Sequence, residues 1–166
     1  TEKSKPEKYS ILYELHEVAE CLYHKNLFSE KGKPALKYLK ERGLSLSTIK
    51  KYKIDFSLNI WDDLVKKCKG KGYKRKNIEE SGLFIKTKKG IFDRFRSRIM
   101  FPIHHLNGKT VGFGGRIFQS NDTSKYMNSP ETIIYKKSDI LYGLNLSRSQ
   151  ILKYKYAILV EGYMDL

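Results

Sequence analysis

Two carboxylates flank a glycine in Glu161-Gly162-Tyr163-Met164-Asp165, directly after the apolar run Ala157-Ile158-Leu159-Val160. The run predicts a strand buried in a parallel sheet, and ligand sites of such sheets lie at the carboxyl ends of their strands. Gly162 permits a sharp exit that would swing Asp165 beside Glu161. Two acids held together suit Mg²⁺, which takes oxygen ligands and keeps several waters. An ordinary acidic strand-to-helix turn would carry the same residues.

Upstream, Asp93-Arg94-Phe95-Arg96-Ser97-Arg98 holds three arginines at alternate positions. In an extended chain that period projects all three from one face, and guanidinium groups match phosphates or carboxylates bidentately. The bland reading pairs each with an acid on a neighbouring element. Gly112-Phe113-Gly114-Gly115-Arg116 puts glycines inside a strand, where they are costly unless something approaches the backbone or the strand bends. Its spacing fits neither a dinucleotide fingerprint nor a P-loop. Lys125-Tyr126-Met127-Asn128-Ser129-Pro130-Glu131-Thr132 reads as a loop in which Lys125 can meet a phosphate and Tyr126 can stack on a base. Ser129 to Thr132 is turn chemistry. Cys68, Trp61 and the pair His104-His105 are read as structural.

The elements that must position these residues form two halves. From Glu7 to about Ser81 the period is helical: Ile11, Leu12, Leu15, Val18, Ala19 and Leu22 make one apolar stripe. A second helix runs from Pro34 to Arg42 and stops at Gly43. Ser47 is a candidate cap for a short helix through Tyr52, and Trp61–Lys67 and Arg75–Glu80 read as two more helices. From Leu83 the period moves toward two. Leu83–Ile85 is a strand, and Ile99–Leu106 and Thr110–Phe118 flank Asn107-Gly108, the strongest short hairpin signal. Pro102 implies an edge or a bulge. A loop over Gln119–Thr132 precedes a helix from about Leu146 to Tyr154. The fold class is α+β, a helical lobe (1–82) followed by a strand-rich basic lobe (83–156) and then a final strand and turn (157–166).

Composition narrows the function classes. Lys and Arg total 33 against 18 Asp and Glu, a net charge of +15, the footprint of a polyanion binder. A 40% apolar share with 13% aromatics excludes a disordered tail. The two cysteines, Cys21 and Cys68, have no paired spacing, which argues against a disulfide framework or a zinc site. No apolar run is long enough to cross a membrane and no signal peptide is visible, so a cytoplasmic setting is expected.

Singly these signals are weak, but their order is specific. Arg94–Ile103, Val111–Arg116, Lys125–Thr132, Leu141-Tyr142-Gly143-Leu144 and Val160–Asp165 together resemble bacterial primases of the DnaG type, and Tyr38–Ser45 resembles that family's helical entry. The resemblance implies that Glu161-Gly162-Tyr163-Met164-Asp165 opens a TOPRIM fold. Glu161 would then serve as metal ligand or acid/base, with Asp165 close by. Arg94, Arg96, Arg98, Arg116, Lys125, Tyr126, Asn128 and, more weakly, Arg42 would line a groove for template and nucleotide.

The implied reaction is synthesis of RNA primers on a single-stranded DNA template from nucleoside triphosphates, with Mg²⁺ or Mn²⁺. The family's remaining metal ligands and its zinc-binding domain are expected outside this chain, as are its contacts with a replicative helicase. The chain alone is expected not to polymerise. Two other readings stay open: a non-catalytic single-stranded nucleic-acid-binding module, and the primase part of a phage- or organelle-type primase-helicase. A topoisomerase is disfavoured by the Arg94–Ile103 and Lys125–Thr132 motifs.

Overall fold

The computed structural model describes residues 4–119 and 124–165. Its centre is an antiparallel sheet in which β4 (Arg98–His104) lies between β1 (Asp55–Ser57) and β5 (Thr110–Ile117), with β6 (Tyr126–Asn128) beyond β5. A separate hairpin joins β2 (Phe84–Thr87) and β3 (Gly90–Asp93). Six α-helices accompany them among the described residues: α1 (Ser4–Leu27), α2 (Lys33–Glu41), α3 (Leu46–Lys51), α4 (Asp63–Gly70), α5 (Arg75–Glu80) and α6 (Leu144–Tyr154). The expected α+β class holds.

Alternation along β4 builds a core on each face of the sheet. Met100 joins Leu12, Leu15 and Ala19 of α1, Leu64 of α4, Ile78 of α5 and Phe113 in one cluster. Ile99 and Phe101 join Leu39 of α2, Ile49 of α3, Phe56 of β1 and Phe118 in the other. All seven residues of β4 are buried, because helices cover both faces. Pro102 lies in β4 beyond the stretch paired with β1, so its missing N–H costs no bond on that side, and the β4–β5 register shifts between Ile103 and His104.

Polar contacts tie the helices to the sheet. Glu20 of α1 accepts from Lys53 Nζ and Thr110 Oγ1, and His24 Nδ1 lies 2.9 Å from Oδ1 of the fully buried Asp55. Burial raises the Glu20 carboxyl, but bonds with His104, Lys53 and Thr110 overcome it and bring the value down to about 2. The first turn of α4 is held from outside the helix: Asp93 accepts from Leu64 N at 2.8 Å and Val65 N at 2.9 Å.

Several expectations change. Ser45, not Ser47, caps α3, accepting from Thr48 N at 3.0 Å. Asp55–Ser57 is a strand, made visible only by its pairing with β4. Residues 126–128 of the expected loop are strand β6, paired with β5, and residues 120–123 lie outside the described residues. Ala157–Val160 forms no strand and pairs with none among the described residues, and Ile158 and Leu159 are 76% and 79% exposed. A strand gains burial only from neighbours on its edges and faces, and no described residues supply them.

Candidate nucleic-acid interface

The three arginines at alternate positions diverge. β3 ends at Asp93 and β4 starts at Arg98, and Ser97 between them has φ +51°, which breaks the period-two projection. Arg94 turns back to donate from Nε to Gly82 O at 2.9 Å. Arg96 donates to the Asp93 carbonyl and lays its guanidinium 4.0 Å from the centre of the Trp61 ring. Arg98 is buried, 1% exposed, and donates from Nη1 to Gly115 O at 3.2 Å and Ser124 O at 3.0 Å. Of the three, Arg96 is the one that lies on an exposed ring; Arg98 braces the sheet from within.

Trp61, read from sequence as structural, is 60% exposed and meets Phe92 edge-on at 5.6 Å. It and Arg96 form a flat cationic surface of the kind on which bases stack. The clue in the sequence is its place outside every apolar stripe. Cys68 is buried, as expected. His104 is buried 3.6 Å from Glu20, whereas His105 is exposed.

A second group gathers where β5, β6 and the chain after α6 meet. The Arg116 guanidinium lies 5.5 Å from the Tyr38 ring centre and 5.9 Å from that of Tyr126. Lys125 and Tyr126 are exposed. Asn128 accepts from Tyr163 Oη at 2.8 Å. Tyr38 and Tyr163 were not among the groove residues expected from sequence. Burial, then the nearby Tyr135 and Tyr126, pushes the Tyr163 phenol up to about 12, so it remains a donor at neutral pH. Arg42 is exposed at the end of α2.

Gly112 of the cluster lies beside the β4–β5 register shift, while Gly114 and Gly115 make room for side chains. A Cβ on Gly114 would lie 2.6 Å from Tyr163 Cε2 and Cζ, and one on Gly115 would lie 3.0 Å from Arg98 Cδ and Phe95 Cδ1. The glycines let this chain's own side chains cross the strand.

Glu161 and Asp165 are both exposed on the turn around Gly162. Asp165 N donates to Gly162 O at 3.1 Å, and a Cβ on Gly162 would lie 2.5 Å from Asp165 Oδ2. That glycine is the cradle that admits the aspartate. The donor set fits Mg²⁺ in kind, as hard oxygens. Among the described residues, no group of three or more His, Cys, Asp or Glu could hold a metal ion. No helix there is long and apolar enough to cross a membrane.

Residues 22–148 match the model of the DNA primase catalytic core, N-terminal domain. The chain belongs to that family. The primase-core chain is 38% identical to the DNA primase of Clostridium acetobutylicum over 159 residues, which is 96% of this chain and 26% of that protein. Its backbone superposes on the DnaG primase catalytic domain bound to single-stranded DNA with TM-score 0.88 and 37% identity, covering 96% of this chain and 50% of that one. The RNA polymerase domain of Mycobacterium tuberculosis DnaG, in complex with a double-stranded oligomer carrying a six-nucleotide overhang, gives TM-score 0.88 and 36% identity, covering 93% and 49%. The primase-core chain thus spans about a quarter of the length of the curated relatives it matches.

Proposed function

We propose that this chain is the template-binding front of a DNA primase's RNA-polymerase domain, a nucleotidyltransferase that makes RNA primers for replication. One observation carries the reading. The acidic turn of Glu161 and Asp165 is joined, through Tyr163 and Asn128, to the sheet edge that bears Arg116, Lys125 and Tyr126. Phosphoryl transfer needs cations around phosphates, and it needs acids nearby to hold metal or move a proton. In this reading the helical lobe (1–82) also lends strand β1 to the sheet of the basic lobe (83–156), and the segment 157–166 would open a TOPRIM unit.

Within this reading, Arg96 with Trp61 and Arg116 with Tyr126 give the single strand two stacking and charge contacts. Lys125 meets a phosphate, Asn128 holds Tyr163 in place, and Arg94 and Arg98 flank and anchor the β3–β4 connection that carries Arg96. Arg42 adds charge at the α2 end. Glu161 would hold the Mg²⁺ or Mn²⁺ ion, with Asp165 beside it, and such an ion offsets charge on the triphosphate and lowers the pKa of an attacking hydroxyl. Helicase contacts and a cytoplasmic setting belong to the same proposal for the whole protein.

The test is fluorescence anisotropy of this chain with labelled single-stranded and duplex DNA at two salt concentrations. Salt-dependent binding that favours the single strand is expected. Equal affinity for both, or none for either, would remove the template groove. Binding by this chain joined to an inactive full-length protein would leave the non-catalytic binding module as the better reading.

A further inference from the structure

Gly114 is the centre of a row that crosses the sheet. Its register partner on β4 is Phe101 and its partner on β6 is Asn128. Directly paired residues place their side chains on the same face, so the absent side chain of Gly114 leaves a slot between Phe101 and Asn128. The ring of Tyr163 occupies it. Beyond the 2.6 Å approach to the Gly114 Cβ position, the ring stacks on Phe101 with centroids 5.0 Å apart and planes 11° from parallel. Its Oη donates to Asn128 Oδ1 at 2.8 Å. Tyr142 closes the slot edge-on at 4.9 Å. Every member of the row therefore touches Tyr163.

Residues 157–160 pair with no strand among the described residues, and Glu161 and Asp165 are exposed. Tyr163 and Met164 are the side chains of this segment that pack against the core beneath the sheet. Glu161 and Asp165 each lie two residues from Tyr163, within about 7 Å of extended chain.

We propose that Tyr163 is a positioning residue, whose seat over Gly114 sets where the Glu161 and Asp165 carboxylates stand relative to Arg116 and Tyr126. The proposal rests on the reading of Glu161 as the acidic group of primer synthesis. Its physical basis is that a displacement of about 1 Å in a reacting constellation can lower the rate on the order of a hundredfold without touching the chemistry itself.

The experiment uses the full-length protein, with primer synthesis measured on a single-stranded template with nucleoside triphosphates and Mg²⁺. Gly114→Ala pushes the ring out, Tyr163→Ala removes it, and Tyr163→Phe keeps the stack while losing the bond to Asn128. Both alanine variants are expected to lower kcat by about 30-fold or more, with template affinity nearly unchanged and the protein still folded at the assay temperature, although its melting temperature falls somewhat. Tyr163→Phe is expected to restore most of kcat. The double variant Gly114→Ala/Tyr163→Ala is expected to lose no more than the worse single one, since both empty the same seat. Normal kcat in both alanine variants, beside an inactive Glu161→Gln, would overturn the seat alone. A fully active Glu161→Gln would overturn the Glu161 reading and the proposal together. Parallel losses of kcat, template affinity and melting temperature would also overturn it, by showing a purely structural tyrosine.

Discussion

Arg96 and Trp61 form one surface: the guanidinium lies 4.0 Å from the centre of an indole that is itself 60% exposed. The two side chains offer a strand different things, and their substitutions should separate. Trp61→Ala removes a stacking face worth about 1–3 kcal/mol per base but no charge. Single-stranded DNA affinity should fall with little change in its salt slope. Arg96→Ala should weaken binding and also flatten the slope by about 0.7 for each phosphate no longer neutralised. Anisotropy titrations over a salt series check both, and an unchanged affinity in both variants would remove this surface from the groove.

Lys125 and Arg98 are both cations on the sheet, yet only Lys125 is exposed. Lys125→Ala should reduce affinity and salt slope and leave the melting temperature alone. Arg98→Ala removes the side chain that donates to the Gly115 carbonyl inside the sheet, and the loss of a buried hydrogen bond costs about 1–3 kcal/mol. Its signature should be a lower denaturation midpoint in urea. A stable Arg98→Ala protein with weakened DNA binding would reverse these roles.

Asp93 caps α4 from a neighbouring strand through Leu64 N and Val65 N. Asp93→Ala should cost about 1–2 kcal/mol, as the loss of a helix cap does, read by urea denaturation. A neutral outcome would mean that Asp62, the residue that precedes the helix, takes over.

Asp55 should make stability fall as the solution becomes alkaline. Burial, then the Glu20 charge, raises its carboxyl from the ordinary 3.8 to about 9. An acid that holds its proton more tightly when folded contributes fully below 3.8, and that contribution is lost as pH rises through about 9. Glu20, lowered to about 2 from 4.5, works the other way: its contribution is present above 4.5 and is lost as pH falls toward 2. Asp55→Asn imitates the neutral acid, so the decline in melting temperature between about pH 5 and 9 should flatten while the acid limb stays. An unchanged alkaline limb would assign it to another group.

Much of this molecule is local in origin. The stripe Leu12, Leu15, Ala19 and Leu22 is buried along α1, α2 ends just before Gly43, and Asn107-Gly108 turns the β4–β5 hairpin, each as its residues alone imply. Those features depend on neighbours a few positions away, which periodicity and turn chemistry capture. The order of the arginine, glycine, lysine and acidic motifs along the chain is likewise specific to the primase family without reference to the fold.

The destination of individual side chains was not legible in the same way. Asp55–Ser57 became a strand through pairing with β4, and Arg98 went inside because Gly115, paired with Met100 two residues on, leaves room for its side chain. Trp61 stayed outside, and Tyr163 filled the place above Gly114. Each outcome is set by contact between residues far apart in the chain, so that one side chain's position depends on the space another leaves. Only the folded sheet fixes that space.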